Sequence, residues 1–95
     1  MIDSILAKVK MSLRISVDAY DDELADIIEA AVLDMGIAGV ANVDITDKLI
    51  IRAITSYVRL HFGTPGDYGD FDKLKAIYDE QKAQMSTNSN YNQEV

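Results

Sequence analysis

Few residues in this chain could do chemistry. There is one histidine, His61, and no cysteine, and the densest run of acids is Asp21-Asp22-Glu23. A zinc site of the usual kind needs several imidazole or thiolate ligands, and a lone histidine cannot supply them. The histidine falls in the apolar arc of a helix near its end, which reads as a packed imidazole bonded to a carbonyl near the helix terminus. Three adjacent carboxylates invite a divalent cation or acid–base work, but their spacing does not fit a calcium-binding loop. Acids at a helix start complement the positive end of its dipole, and the run reads that way here. There is no glycine-rich phosphate loop and no Ser–His–Asp set. The tyrosines at 20, 57, 68, 78 and 91 are too dispersed for a base-stacking platform. The reading is therefore a small acidic helical domain that is not an enzyme, with no catalytic residue, no metal ligand and no cofactor.

Charge narrows the partners. The 95 residues carry a net charge of −7. The imbalance is concentrated in residues 18–43, which hold seven acidic side chains and no lysine or arginine. Binding to nucleic-acid phosphates needs a basic footprint, and none of adequate size is present. Nothing approaches ~18 uninterrupted apolar residues, so no membrane span is expected. The N-terminus, MIDSILAKVKMSL, is amphipathic with internal lysines and lacks the apolar core of a signal peptide. The absence of cysteine is compatible with a reducing cytoplasm.

The elements that position these residues are helical. ITDKLIIRAITSYVRLHF, Ile45–Phe62, places its apolar residues in an arc of roughly 220° when spaced at roughly 100° per residue. A surface helix needs only a little over ~100°. This segment is therefore expected to be the central helix, covered on two or three sides, with Lys48, Arg52, Thr55, Ser56 and Arg59 on the remaining arc. Asp44 or Thr46 is its expected cap, and Gly63 and Pro65 its expected end. A first helix is expected from Asp3, as N-cap, to Leu13, with Ile2, Ile5, Leu6, Val9 and Leu13 inward and Lys8 and Lys10 outward. A second is expected over Asp21–Met35, with Leu24, Ile27, Ile28, Ala31, Val32 and Met35 on one face and Gly36 as its stop. Leu33 falls on its polar side, unexplained by packing within the chain. Residues 36–44 are an unusually apolar loop, and residues 63–70 a turn. A last helix is expected from the cap Asp70 to Met85, with Phe71, Leu74, Ile77, Tyr78 and Met85 as its stripe. The fold class is all-α: a bundle of about four helices forming one domain over residues 1–85. Residues 86–95 are polar and aperiodic, and a disordered tail is expected there.

Several motifs in order carry a family resemblance. Val9-Lys10-Met11-Ser12-Leu13-Arg14-Ile15, Tyr20-Asp21-Asp22-Glu23-Leu24 and Ile27-Ile28-Glu29-Ala30-Ala31 resemble the opening of tailed-phage head–tail connector proteins, the head-completion adaptors. Ala53-Ile54-Thr55-Ser56-Tyr57-Val58-Arg59-Leu60-His61-Phe62-Gly63 resembles that family's helix ending in Tyr, a basic residue and His-Phe-Gly. The resemblance covers about residues 5–85. It implies a structural virion protein, made in the host bacterial cytoplasm and located at the head–tail junction. It also implies a homo-oligomeric ring beneath the phage portal protein, with a surface for the next head-completion or tail protein. DNA would pass through its channel without specific binding. Neither catalysis nor a cofactor is implied.

A ring joins two different faces of each subunit. The candidate faces are basic Lys48, Arg52 and Arg59, and acidic Asp22, Asp26 and Glu29 with Glu23 and Asp34; either these meet between neighbours or both are ordinary solvated faces. Leu33, Ile37, Val40 and Val43 are candidate apolar contacts between subunits; the alternative is that the loop folds back over its own core. The tail, with Ser86, Tyr91 and Val95, is a candidate portal-binding segment that orders on contact, or one that stays disordered. The competing function is a small acidic interaction or inhibitor protein that binds a basic partner through residues 18–34.

Overall fold

The computed structural model describes residues 2–41, 43–62, 71–89, 91 and 92. Its order is α1 (Ile2–Leu13), α2 (Asp21–Ile37), α3 (Lys48–His61) and α4 (Phe71–Ser86). No strand occurs among the described residues. The expected turn at 63–70 with its Gly63, Pro65 and Asp70 signals, the side chains of Ile2, Asp3 and Phe71, and Val95 lie outside the described part.

α3 is central because its sequence gives it three apolar sides. It packs against each of the other helices, whereas α1 packs on α2 and has no substantial contact with α4. Ile50, Ala53, Ile54 and Val58 are fully buried on α3, against Ile5 and Val9 of α1, Leu24, Ile28, Ala31 and Met35 of α2, and Tyr78 and Met85 of α4. Each large aliphatic side chain in this set contributes ~1.5–3 kcal/mol on burial. Leu49 and Ile77 were expected in the core. They are 43% and 41% exposed, because they sit at the margins of their helices' inward faces.

The helix ends depart from expectation in ways the backbone explains. α3 begins at Lys48, and Asp47 is its cap: Asp47 Oδ1 accepts from the Leu49 and Ile50 amides at 2.8 and 3.4 Å. Asp44 instead closes the turn before it, accepting from the Thr46 amide at 2.9 Å and hydroxyl at 2.6 Å. α2 runs past Gly36 to Ile37. Its stop is Gly39, at φ 104°. There the Val40 amide donates to Met35 O and the Gly39 amide to Gly36 O, closing the last turn in the Schellman pattern. Val40 and Met35 are both fully buried, the apolar contact that accompanies this motif. α1 ends the same way, with Ile15 donating to Lys10 O and Arg14 to Met11 O. Arg14 therefore holds the left-handed position, at φ 61°, where glycine is usual. α2 starts without a side-chain cap, and Tyr20 stands at that position.

Candidate interaction surface

Two faces of the bundle carry the exposed groups not used by the fold. The first is on α2. Asp22, Asp26, Glu29, Leu33 and Ile37 recur at helical spacing and are all exposed, Leu33 at 70% and Ile37 at 87%. At about 100° per residue they lie opposite the buried Leu24, Ile28, Ala31 and Met35. Leu33 thus continues an outward row that starts acidic and ends apolar.

The second face is the open side of α3. Lys8 and Ser12 of α1, Arg52, Thr55, Ser56 and Arg59 of α3, and Ile77 and Gln81 of α4 line a groove along it. It continues past Leu49, Glu80, Gln84 and Met85 at the N-terminal end of α3. The positive end is set by Arg59, whose guanidinium donates to Ser12 Oγ at 3.0 Å and so leans on α1. Lys48 and Arg52 are exposed. α2 and α3 turn their apolar sides to each other, so the acidic row and the basic groove lie on opposite sides of the bundle.

Several other charges bind within the chain. Asp34 Oδ2 accepts from the Tyr78 hydroxyl at 2.6 Å and from Lys82 Nζ at 2.8 Å, tying α2 to α4. Partial burial opposes the charge on Asp34, but the Lys82 and Tyr78 hydrogen bonds outweigh it and hold its carboxyl below the usual carboxylate range. Burial first, and then the Asp34 carboxylate, push the Tyr78 hydroxyl far above its ordinary value. Lys10 does not face outward as expected. Its ammonium meets Asp21 at 2.7 Å and Asp18 at 3.0 Å, and those two carboxylates raise its pKa. The acid run at the start of α2 thus serves an ion pair with α1 as well as the helix dipole. His61 is exposed, its ring 4.3 Å from that of Tyr57, rather than packed against a carbonyl. Among the described residues no group of three or more His, Asp or Glu could hold a metal ion.

Of the candidate contacts, the structure brings Asp22, Asp26, Glu29, Leu33 and Ile37 into one row, and Lys48, Arg52 and Arg59 onto one side. Val40 is removed from the surface by its burial under the α2 stop, and Val43 is half-buried against the core. Asp34 and Lys10 are spoken for. The sequence reading missed the Asp34–Tyr78–Lys82 set, and only the tyrosine and lysine one turn apart on α4 hinted at it. It also placed Ile37 in a loop. At the C-terminus, Ser86 closes α4, and Tyr91 packs half-buried against the core with its hydroxyl donating to Asp47 Oδ2 at 3.0 Å. Packing onto the bundle thus extends beyond residue 85, because Tyr91 supplies an apolar ring and Asp47 a carboxylate oxygen.

The arrangement defines a small all-helical module with two unlike exposed faces. The model of the phage connector protein family matches residues 5–92, and the chain belongs to that family. A phage connector has a structural role in the virion, and the head–tail connector resemblance of the sequence is borne out. No curated protein and no solved structure matches the chain. No helix among the described residues is long and apolar enough to cross a membrane.

Proposed function

We propose that the chain forms a homo-oligomeric ring at the head–tail junction, seated on the portal protein and presenting a surface to the next head-completion or tail protein. The carrying observation is the pair of unlike faces on opposite sides of one bundle, the acidic row of α2 and the basic groove of α3. A closed ring joins a subunit to its neighbour head to tail, and so needs two different, complementary patches. Charge complementarity sets the register of such a contact more than its strength. DNA passes through the channel without being gripped, in keeping with the net charge of −7.

The test is size-exclusion chromatography with light scattering across a concentration series, alone and with a portal ring. A discrete large oligomer, or stoichiometric joining to the portal, is expected. Lys48→Glu with Arg52→Glu should weaken assembly and leave helicity unchanged, since both side chains are exposed and neither is an N-cap. A monomer or dimer that ignores the portal would sink the ring reading. It would favour the acidic interaction protein instead, whose exposed Asp22, Asp26 and Glu29 should then bind a basic partner with strong salt dependence.

A further inference from the structure

The two faces match in more than sign. Along α2 the outward row runs from acids at Asp22, Asp26 and Glu29 to the apolar Leu33 and Ile37. Along α3 the groove carries its exposed apolar surface, Leu49 with Ile77, at the N-terminal end beside Lys48 and Arg52, and ends at Arg59 beside Ser12. The lengths agree. Asp26 and Ile37 are about 16 Å apart along the α2 axis, and Leu49 and Arg59 about 15 Å apart along α3, at about 1.5 Å per residue. Glu80 lines the groove at the Leu49 end, where it would repel an acidic visitor.

Resting on the ring reading above, we propose that the occupant of the groove is a second copy of this chain, whose α2 lies antiparallel to α3. Leu33 and Ile37 then cover Leu49 and the exposed edge of Ile77. Glu29 and Asp26 then face the Arg59 end of the groove. The parallel arrangement fits worse on the apolar count: it sets Glu29 near Arg52 but Asp26 beside Glu80, and it leaves Leu33 and Ile37 over Arg59 and Ser12. The antiparallel fit removes from water two large apolar side chains that are 70% and 87% exposed in the single chain.

Cysteine pairing tests the orientation against no background, because the chain has no cysteine of its own. The oligomer is first confirmed by light scattering, and each variant's helicity by circular dichroism. Under mild oxidation Ile37→Cys with Leu49→Cys should give a ladder of covalent oligomers, since a disulfide requires Cα atoms within about 7 Å. Asp26→Cys with Leu49→Cys should not. A second measurement needs no cysteine. Glu29→Lys should raise the concentration for half-assembly about tenfold, and adding Arg59→Glu in the same chain should recover most of that loss. An oligomer that pairs Asp26→Cys with Leu49→Cys, or one that gives neither ladder and no charge-swap recovery, overturns the antiparallel contact and leaves the ring standing. An unmodified chain that neither self-assembles nor joins a portal ring overturns both.

Discussion

At the residue scale, the clearest tension is at Arg14. An arginine in the left-handed region carries a penalty that glycine avoids, and Arg14 is exposed. Arg14→Gly is therefore expected to stabilise the monomer by about 0.5–1 kcal/mol in urea unfolding. An unchanged or lower midpoint would show that the guanidinium makes a compensating contact. Asp34 carries the second prediction. Its folded pKa lies below its unfolded value, so its contribution is present above the unfolded pKa and is lost as pH falls through the folded one. The chain should lose stability on acidification below the ordinary aspartate pKa of about 3.9. Asp34→Asn should be less stable at pH 7 and flatter in that acid range. If its profile parallels that of the unmodified chain, the Lys82 and Tyr78 bonds are not what lowers the pKa.

Elements depend on residues that sit where the backbone needs them. α2 passes through Gly36, which has a helical neighbourhood and nothing close to where a side chain would sit, and stops at Gly39. A Cβ at Gly39 would touch Ser86 Cβ at an ordinary 3.5 Å, so the objection to a side chain there is the φ of 104° rather than space. Gly39→Ala should destabilise by about 1–2 kcal/mol, read from the thermal midpoint, and Gly36→Ala should do no harm. Equal losses at the two sites would mean that the stop is misplaced. This end also shapes the candidate surface, because two more residues of helix put Ile37 in row with Leu33. Asp47 likewise does two jobs, one oxygen capping α3 and the other holding Tyr91.

For the whole molecule, the bundle measures 37 × 30 × 18 Å, with α3 at its centre and its open side uncovered by another helix among the described residues. The C-terminal residues start from a fixed point, since Tyr91 is anchored at the α3 N-terminus. On the ring reading, the residues that follow it are the proposed portal contact. Ending the chain after Tyr91 should leave the melting temperature within about 2 °C, because it removes no buried side chain among the described residues. The same deletion should weaken capture on an immobilised portal ring, and unchanged capture would discard that assignment.

The sequence by itself determined the helical class, the helix count and most of the inward faces, because a 3.6-residue period is a local property that each segment carries alone. The apolar faces of α1, α2 and α3 were legible for that reason, and so was the family, whose motifs are short and lie in order along the chain. The tertiary structure decided which polar groups meet. Asp34 finds Tyr78 and Lys82, and Asp47 finds Tyr91, across more than forty residues. No periodicity encodes such pairs, since they depend on the rotation and offset of one helix against another. The helix stops were also settled there. Gly36 and Gly39 are equally plausible in a string of letters, and the burial of Val40 against Met35 chose between them. The candidate surface followed from both. Spacing predicted its charges, while packing removed Val40 and Asp34 from it and added the row that ends in Ile37.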